Sequence, residues 1–103
     1  MRNYRLMKQF YVYITTNPGK TVLYVGITND LRRRIFEHYN NRGNQKTFAG
    51  KYYCYRLVYW ELFNNARDAI FREKEIKNMS RLKKEKLIAH KNPNWYFMDV
   101  LSK

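Results

Sequence analysis

The apolar and polar positions of the first thirty residues read as a β-hairpin. Phe10 to Thr15 alternate in a β-rich run, Asn17-Pro18-Gly19-Lys20 places Pro and Gly at the two central positions of a turn, and Val22 to Ile27 form a second β-rich run. Centring the turn between Pro18 and Gly19 sets Tyr13 opposite Tyr24 on one face, two phenols side by side. A type II turn matches strand twist poorly, so a bulge that shifted the register by one residue would separate them.

Beyond Gly26 the pattern turns helical. Thr28-Asn29-Asp30 offers N-cap oxygens, and the stretch to about Asn40 carries an apolar stripe of Leu31, Ile35 and Tyr39, with Arg34 and His38 four residues apart along its edge. Asn41 to Gly50 is polar and contains glycine. Tyr55 to Leu62 returns to β character as a third strand. A second helix is predicted over Ala66 to Met79, and a short basic one from Arg81 to about His90, stopped by Pro93. There are no repeats and no low-complexity tract.

Length and composition narrow the class. The 103 residues suit one domain, 1–103, and a content of 45% apolar and 17% aromatic residues excludes a disordered tail. Lys and Arg number 21 against 8 Asp and Glu, a net charge of +13 that points to a polyanionic partner, nucleic acid first. Cys54 stands alone, which excludes a disulfide within the chain, and with only His38 and His90 beside it no four-ligand zinc site of the Cys/His type assembles. Lys and Arg interrupt every apolar run among the first nine residues, so neither a secretory signal nor a membrane span is expected and the cytoplasm is the expected location.

Candidate chemistry centres on the second predicted helix. Ala66, Ala69, Ile70 and Ile76 form its apolar face, and Glu73 falls in the middle of it. A carboxylate aimed at a core must be neutralised, paired or metal-bound. The alternatives are an ion pair with Arg34 or Lys77, or a hard-metal site in which one carboxylate, waters and a substrate phosphate hold Mg²⁺. Arg34 belongs to the run Arg32-Arg33-Arg34 but lies beside the apolar stripe, where a fixed guanidinium would brace charge developing on a phosphodiester. His38 suits proton transfer or phosphate binding, or simple hydrogen-bonded packing. Tyr13 and Tyr24 read as strand aromatics unless a metal and an arginine lie near, where a phenol serves more easily as general base on water.

The run Tyr11-Val12-Tyr13 followed by Tyr24-Val25-Gly26 resembles the paired motif of the GIY-YIG nuclease superfamily. Arg34, ten positions after Tyr24, then His38 one turn later and Glu73 on a later helix extend the match from Phe10 to about Trp95. Arg72-Glu73-Lys74-Glu75-Ile76-Lys77, Ser80-Arg81-Leu82-Lys83-Lys84 and Asn92-Pro93-Asn94-Trp95 most resemble the small stand-alone bacterial members related to the nuclease domain of the excision-repair incision subunit. The resemblance implies an α+β fold, a three-stranded antiparallel sheet flanked by three or more helices. It also implies hydrolysis of DNA by water with one divalent cation, Mg²⁺ or Mn²⁺. It would make Glu73 the metal ligand, Arg34 the stabiliser of the pentacoordinate phosphate, and Tyr13, Tyr24 and His38 the groups that order or deprotonate the water. Three positions depart from the pattern: Tyr11 stands for glycine, Ile27 stands where some relatives have lysine, and Asn92 and Asn94 do not align cleanly with a family asparagine.

Three functions compete on these residues: a DNA endonuclease, a non-catalytic DNA- or RNA-binding module on the same fold, and a module docking on an acidic protein. Arg32, Arg33, Lys83, Lys84 and Lys86 are the candidate phosphate contacts. A domain this small has little surface for reading long sequences, which suggests branched, nicked or single-stranded DNA as substrate, RNA as a further candidate, and a monomer or weak dimer.

Overall fold

The computed structural model describes residues 8–99; the first seven residues, read above for a leader, and the last four lie outside them. The elements run β1 (Phe10–Thr16), β2 (Leu23–Thr28), α1 (Leu31–Asn40), α2 (Phe48–Lys51), β3 (Arg56–Phe63), α3 (Ala66–Lys77) and α4 (Arg81–Lys91). The three strands form one antiparallel sheet in the order β2-β1-β3. This is the expected α+β class, a three-stranded antiparallel sheet with four helices.

The central strand explains why the first β-run is apolar on both sides. Val12, Ile14 and their neighbours on β2 and β3 face α3 and α4, packing with Ala69, Ile76 and Ile88. Tyr13 faces the other way, into a smaller cluster with Leu31, Ile35 and Leu57 under α1. Both faces are covered, so alternate residues of β1 are all out of water. A bulge after Ile14, where Ile14 pairs Tyr59 and Thr15 pairs Leu57, leaves Val58 as an extra residue whose side chain joins the α3 and α4 face.

The hairpin register corrects the expectation. Tyr13 pairs with Gly26, and Tyr24 pairs with Thr15. The connection is wider than a two-residue turn because Lys20, not Gly19, takes the left-handed conformation (φ 60°), and its amide donates to the Asn17 carbonyl at 2.8 Å. The Asn17 side chain then accepts from the amides of Thr21 and Val22, each at 2.9 Å, tying down the loop. A shift by two residues keeps side-chain parity, so Tyr13 and Tyr24 stay on one face as diagonal neighbours, ring centroids 6.3 Å apart.

Each long helix starts on a side-chain cap. Asp30 accepts from the Arg33 amide, Asn65 from Asp68 and Ser80 from Lys83. Two predicted helix faces change. On α1, His38 is buried with Leu31 and Ile35, while Tyr39 is turned out against Tyr55 and under the Arg42 guanidinium. On α3 the packed residues are Ala69 and Ile76; Ala66 and Ile70 are exposed. The polar segment 41–50 contains the start of α2, which the sequence pattern did not indicate. After α4, Asn92 anchors the returning chain, donating to the carbonyls of Val58 and Tyr96, and Asp99 accepts from the Leu57 amide. That tail covers the open edge of β3.

Candidate active site

Tyr13 reaches the α1 side of the sheet because its partner across β2 is glycine. A Cβ on Gly26 would stand 2.5 Å from Cζ of Tyr13 and 2.9 Å from Cε2 of Tyr24, so only glycine lets the phenol ring lie over β2. Above it, α1 presents Arg34 and His38 on one face, four residues apart. The Tyr13 hydroxyl lies 2.8 Å from Nε2 of His38, and Nε of Arg34 donates to the same hydroxyl at 3.3 Å. A guanidinium only donates, so the Tyr13 oxygen accepts from Arg34; the His38 tautomer with a bare Nε2 receives the Tyr13 proton. Arg34 also donates from Nη1 to Glu37 at 3.1 Å. Tyr24 closes the group, its ring 5.3 Å from that of His38.

Burial sets the charge states. Tyr13 is 0% exposed, and burial, opposed in part by the Arg34 hydrogen bond, pushes its phenol well above the usual range. Burial pulls His38 down to about 4, with the Arg34 charge adding to it, so the imidazole is neutral at pH 7. Burial works against the Arg34 charge, but hydrogen bonds to Tyr13 and Glu37 outweigh it and hold the guanidinium above its ordinary range. The result is a permanent cation braced by a neutral tyrosine and a neutral histidine.

A cavity of 170 Å³ opens on this cluster, walled by Tyr24, Arg34, His38, Asn41, Thr47 and Phe48 among others. Tyr13 is not on its wall; it stands behind Arg34 and His38 and holds them. The two motif tyrosines therefore differ: Tyr24 meets the cavity and Tyr13 does not. A larger hollow of 420 Å³ lies further along the same face, between Tyr11, Trp60, Asp30 and Arg32. The smaller one brings Tyr24, Arg34 and His38 together on one wall, whereas in the larger one Asp30 is already engaged as the α1 cap.

Glu73 projects from α3 between the packed Ala69 and Ile76, largely out of solvent, and binds Nζ of Lys77 at 2.8 Å. The pair with Lys77 holds, and Arg34 is engaged by Glu37. The Glu73 hydrogen bond raises the Lys77 ammonium above its usual range, and Lys77 lies within Coulombic range of Tyr24, but α3 packs with α4 on the other face of the sheet and Glu73 is not on the cavity wall. Among the described residues no three His, Cys, Asp or Glu side chains converge as a metal cage. A lone carboxylate of this kind fits a hard cation that keeps most of its water, with the half-exposed Lys77 as its present counter-charge.

The other candidates scatter. Arg33 is on the solvent side of α1 near Glu37 and Asn29, and Arg32 borders the larger hollow. Lys83, Lys84 and Lys86 lie on α4, which packs on the opposite face of the sheet from Tyr13 and Arg34, so the structure does not gather them at the cluster. Asn92 is a buried anchor of the chain, and Asn94 bonds the Tyr96 hydroxyl. Cys54 is buried, unpaired, and pushed up to about 11 by that burial. Four residues at the site went unnoticed in the sequence. Glu37, one turn from Arg33 and Arg34, was findable from its i,i+3 and i,i+4 spacing; Asn41, Thr47 and Phe48 carried no periodic signal.

Comparisons with known proteins bear on the family and the fold. The model of the GIY-YIG catalytic domain matches residues 9–86. A UPF0213 protein of Staphylococcus saprophyticus is 39% identical over 83 residues, covering 81% of this chain and 98% of its own. A UPF0213 protein of Clostridium perfringens is 42% identical over 82 residues, covering 80% and 85%. The solution NMR structure of a UPF0213 protein from Bacillus halodurans superposes with a TM-score of 0.53 at 34% identity, covering 84% of this chain and 89% of that one.

Proposed function

The chain belongs to the GIY-YIG family, and from that premise we propose that it is a divalent-cation-dependent endonuclease that hydrolyses DNA phosphodiester bonds by attack of water. The observation that carries the proposal is Arg34: a permanently charged guanidinium on the wall of a phosphate-sized cavity, aimed by the Tyr13 hydroxyl and flanked by Tyr24 and His38. A preorganised cation of this kind stabilises the extra charge of a pentacoordinate phosphate without having to reorient during the reaction.

Glu73 would hold the cation, Mg²⁺ or Mn²⁺, in place of Lys77. Bound there, the cation supplies Lewis acidity and a more acidic water. Tyr24 is the phenol that meets the cavity, and we assign it the ordering of the nucleophilic water. Tyr13 and His38 act from behind as positioning residues: the neutral imidazole takes the Tyr13 proton in a hydrogen bond, which leaves the Tyr13 oxygen to receive Arg34. The excess of positive charge supplies affinity for the phosphate backbone. The same reading takes residues 1–103 as one domain acting in the cytoplasm; no helix among the described residues is long and apolar enough to cross a membrane.

The test is a cleavage panel of plasmid, single-stranded, branched and RNA substrates with Mg²⁺ or Mn²⁺. Wild type is expected to cut, Glu73→Ala to bind without cutting, and Tyr24→Phe to cut about 10²-fold more slowly. Cutting by Glu73→Ala at the wild-type rate would overturn the metal assignment. Salt-sensitive binding with no cutting by wild type would make the chain a binding module instead.

A further inference from the structure

The segment between α1 and β3 turns large aromatic side chains into solvent beside the cavity. Phe48 is 51% exposed and Tyr52 41%. They continue a line of rings that starts at the cavity: Phe48 stacks near Tyr24 at 6.4 Å and 25°, and Tyr52 lies 4.8 Å from Phe48. Neither ring fills the core, whose local contacts come from Ala49. Exposed rings cost free energy in water unless something covers them.

The mounting is rigid. Thr47 caps α2 through the Gly50 amide at 3.0 Å, the Gly43 amide donates to the Gly50 carbonyl at 2.8 Å, and the Cys54 amide donates to the Ala49 carbonyl at 2.8 Å. Gly50 packs so closely that a Cβ there would stand 2.6 Å from the Asn44 carbonyl and 2.8 Å from that of Asn41. The rings are thus held outward by a tightly bonded segment.

The segment that carries them is basic. From His38 to Trp60 the chain has no Asp or Glu, but it has Arg42, Lys46, Arg56 and Lys51, whose ammonium lies 5.4 Å from the centre of the Tyr52 ring. An aromatic surface set in positive charge complements a ligand that is itself flat, apolar on its faces and negative on its backbone.

We propose that Phe48 and Tyr52 are a stacking platform for unpaired bases next to the phosphate held at Arg34, with Lys46 and Lys51 contacting the backbone of the same strand. The proposal rests on the nucleic-acid reading above and adds a binding subsite to it. Stacking needs a base with a free face, so the platform engages a strand where it is single, at an end, a gap or a splayed junction.

Binding in chelator, without cutting, tests it. Fluorescence anisotropy would compare a labelled oligothymidylate with a duplex of equal length, for wild type, Phe48→Ala, Tyr52→Ala, Phe48→Trp and Lys51→Ala. Phe48→Ala is expected to weaken single-strand binding about 5- to 100-fold, with Tyr52→Ala acting in the same direction. Duplex affinity and the salt slope should stay as in wild type for both, and Phe48→Trp should restore binding. Lys51→Ala should instead lower the single-strand salt slope by about 0.7. The platform is overturned if Phe48→Ala and Tyr52→Ala bind single strands like wild type, or lose duplex binding equally. It is also overturned if light scattering shows that the rings mediate self-association and binding is unchanged. Wild type that binds neither nucleic acid would overturn the functional reading itself, whereas wild type that cuts, beside a Phe48→Ala variant that binds normally, removes the platform alone.

Discussion

On the α3 side of the sheet, Tyr59, Glu61 and Arg72 form a closed set. Arg72 grips Glu61 with two bonds of 2.9 Å, Tyr59 donates to the same carboxylate, and the third Arg72 nitrogen donates to Glu75 at 2.8 Å. On the α1 side Tyr13, His38, Arg34 and Glu37 use nearly the same residue types to a different end. Here the tyrosine is bonded to the arginine directly, the carboxylate is the more exposed Glu37, and the guanidinium borders a cavity. Both tyrosines are raised by burial, Tyr59 also by Glu61. The difference lies in the arginine's partners. A guanidinium bound in a fork to a buried carboxylate has little field left for a ligand, while one aimed by a neutral hydroxyl keeps its charge for an arriving anion.

The sharpest way to break this comparison is to remove each arginine. Arg34→Ala should reduce cutting by about 10²–10³-fold with little change in the melting curve. Arg72→Ala should cost about 3 kcal/mol of stability by leaving Glu61 unpaired, while the folded fraction still cuts. Urea melts and cleavage rates on both variants read this directly, and equal effects on both would erase the distinction between the networks.

Gly26→Ala tests whether Tyr13 aims Arg34. The added methyl overlaps Tyr13, so a stability loss of about 1–3 kcal/mol is expected, together with slower cutting by the folded protein. If cutting by the folded protein stays at the wild-type rate, Tyr13 does not position the arginine.

The pH dependence of stability separates the two networks as well. His38 titrates near 4 in the folded chain against an ordinary 6.5, so between those values the unfolded chain binds a proton that the folded chain does not. Stability therefore falls as pH drops from 6.5 toward 4, with a slope of up to about 1.4 kcal/mol per pH unit. Burial works against the Glu61 charge, but Arg72 holds its carboxyl below the usual range, so the Glu61 contribution is present above the ordinary carboxylate pKa and is lost at more acid pH. His38→Gln should remove the first loss and keep the second. Parallel curves for the two proteins in urea titrations across pH would show that His38 is not the group responsible.

The order of strands and helices was legible because each long element carries its own period and its own cap. Asp30, Asn65 and Ser80 sit where the helices start. The hairpin register was not, because it depends on the Asn17 side chain reaching across to Thr21 and Val22 and on Lys20 adopting a left-handed conformation. Side-chain parity survived that error, which is why both motif tyrosines were placed on the correct face. On α1, His38 and Tyr39 are adjacent on the helix surface, and only Tyr13 on one side and Tyr55 with Arg42 on the other decide which turns inward. Glu73 was legible as a carboxylate among apolar neighbours; the sequence left a pair with Arg34, a pair with Lys77 and a metal open, and the structure pairs it with Lys77. The Phe48 platform was invisible, since α2 is a single short turn with no period to read.

The sequence by itself determined the order of the long elements, the positive charge and which side chains are candidates for phosphodiester chemistry. These follow from local pattern and composition, which a chain carries whether or not it is folded. Only the tertiary structure decided that Tyr24 meets the cavity while Tyr13 stands behind it, that Arg34 borders the cavity while Arg72 is held in a fork on Glu61, and that Phe48 faces water. Those outcomes depend on which distant residues remove a group from solvent or satisfy its hydrogen bonds, and no local pattern encodes that.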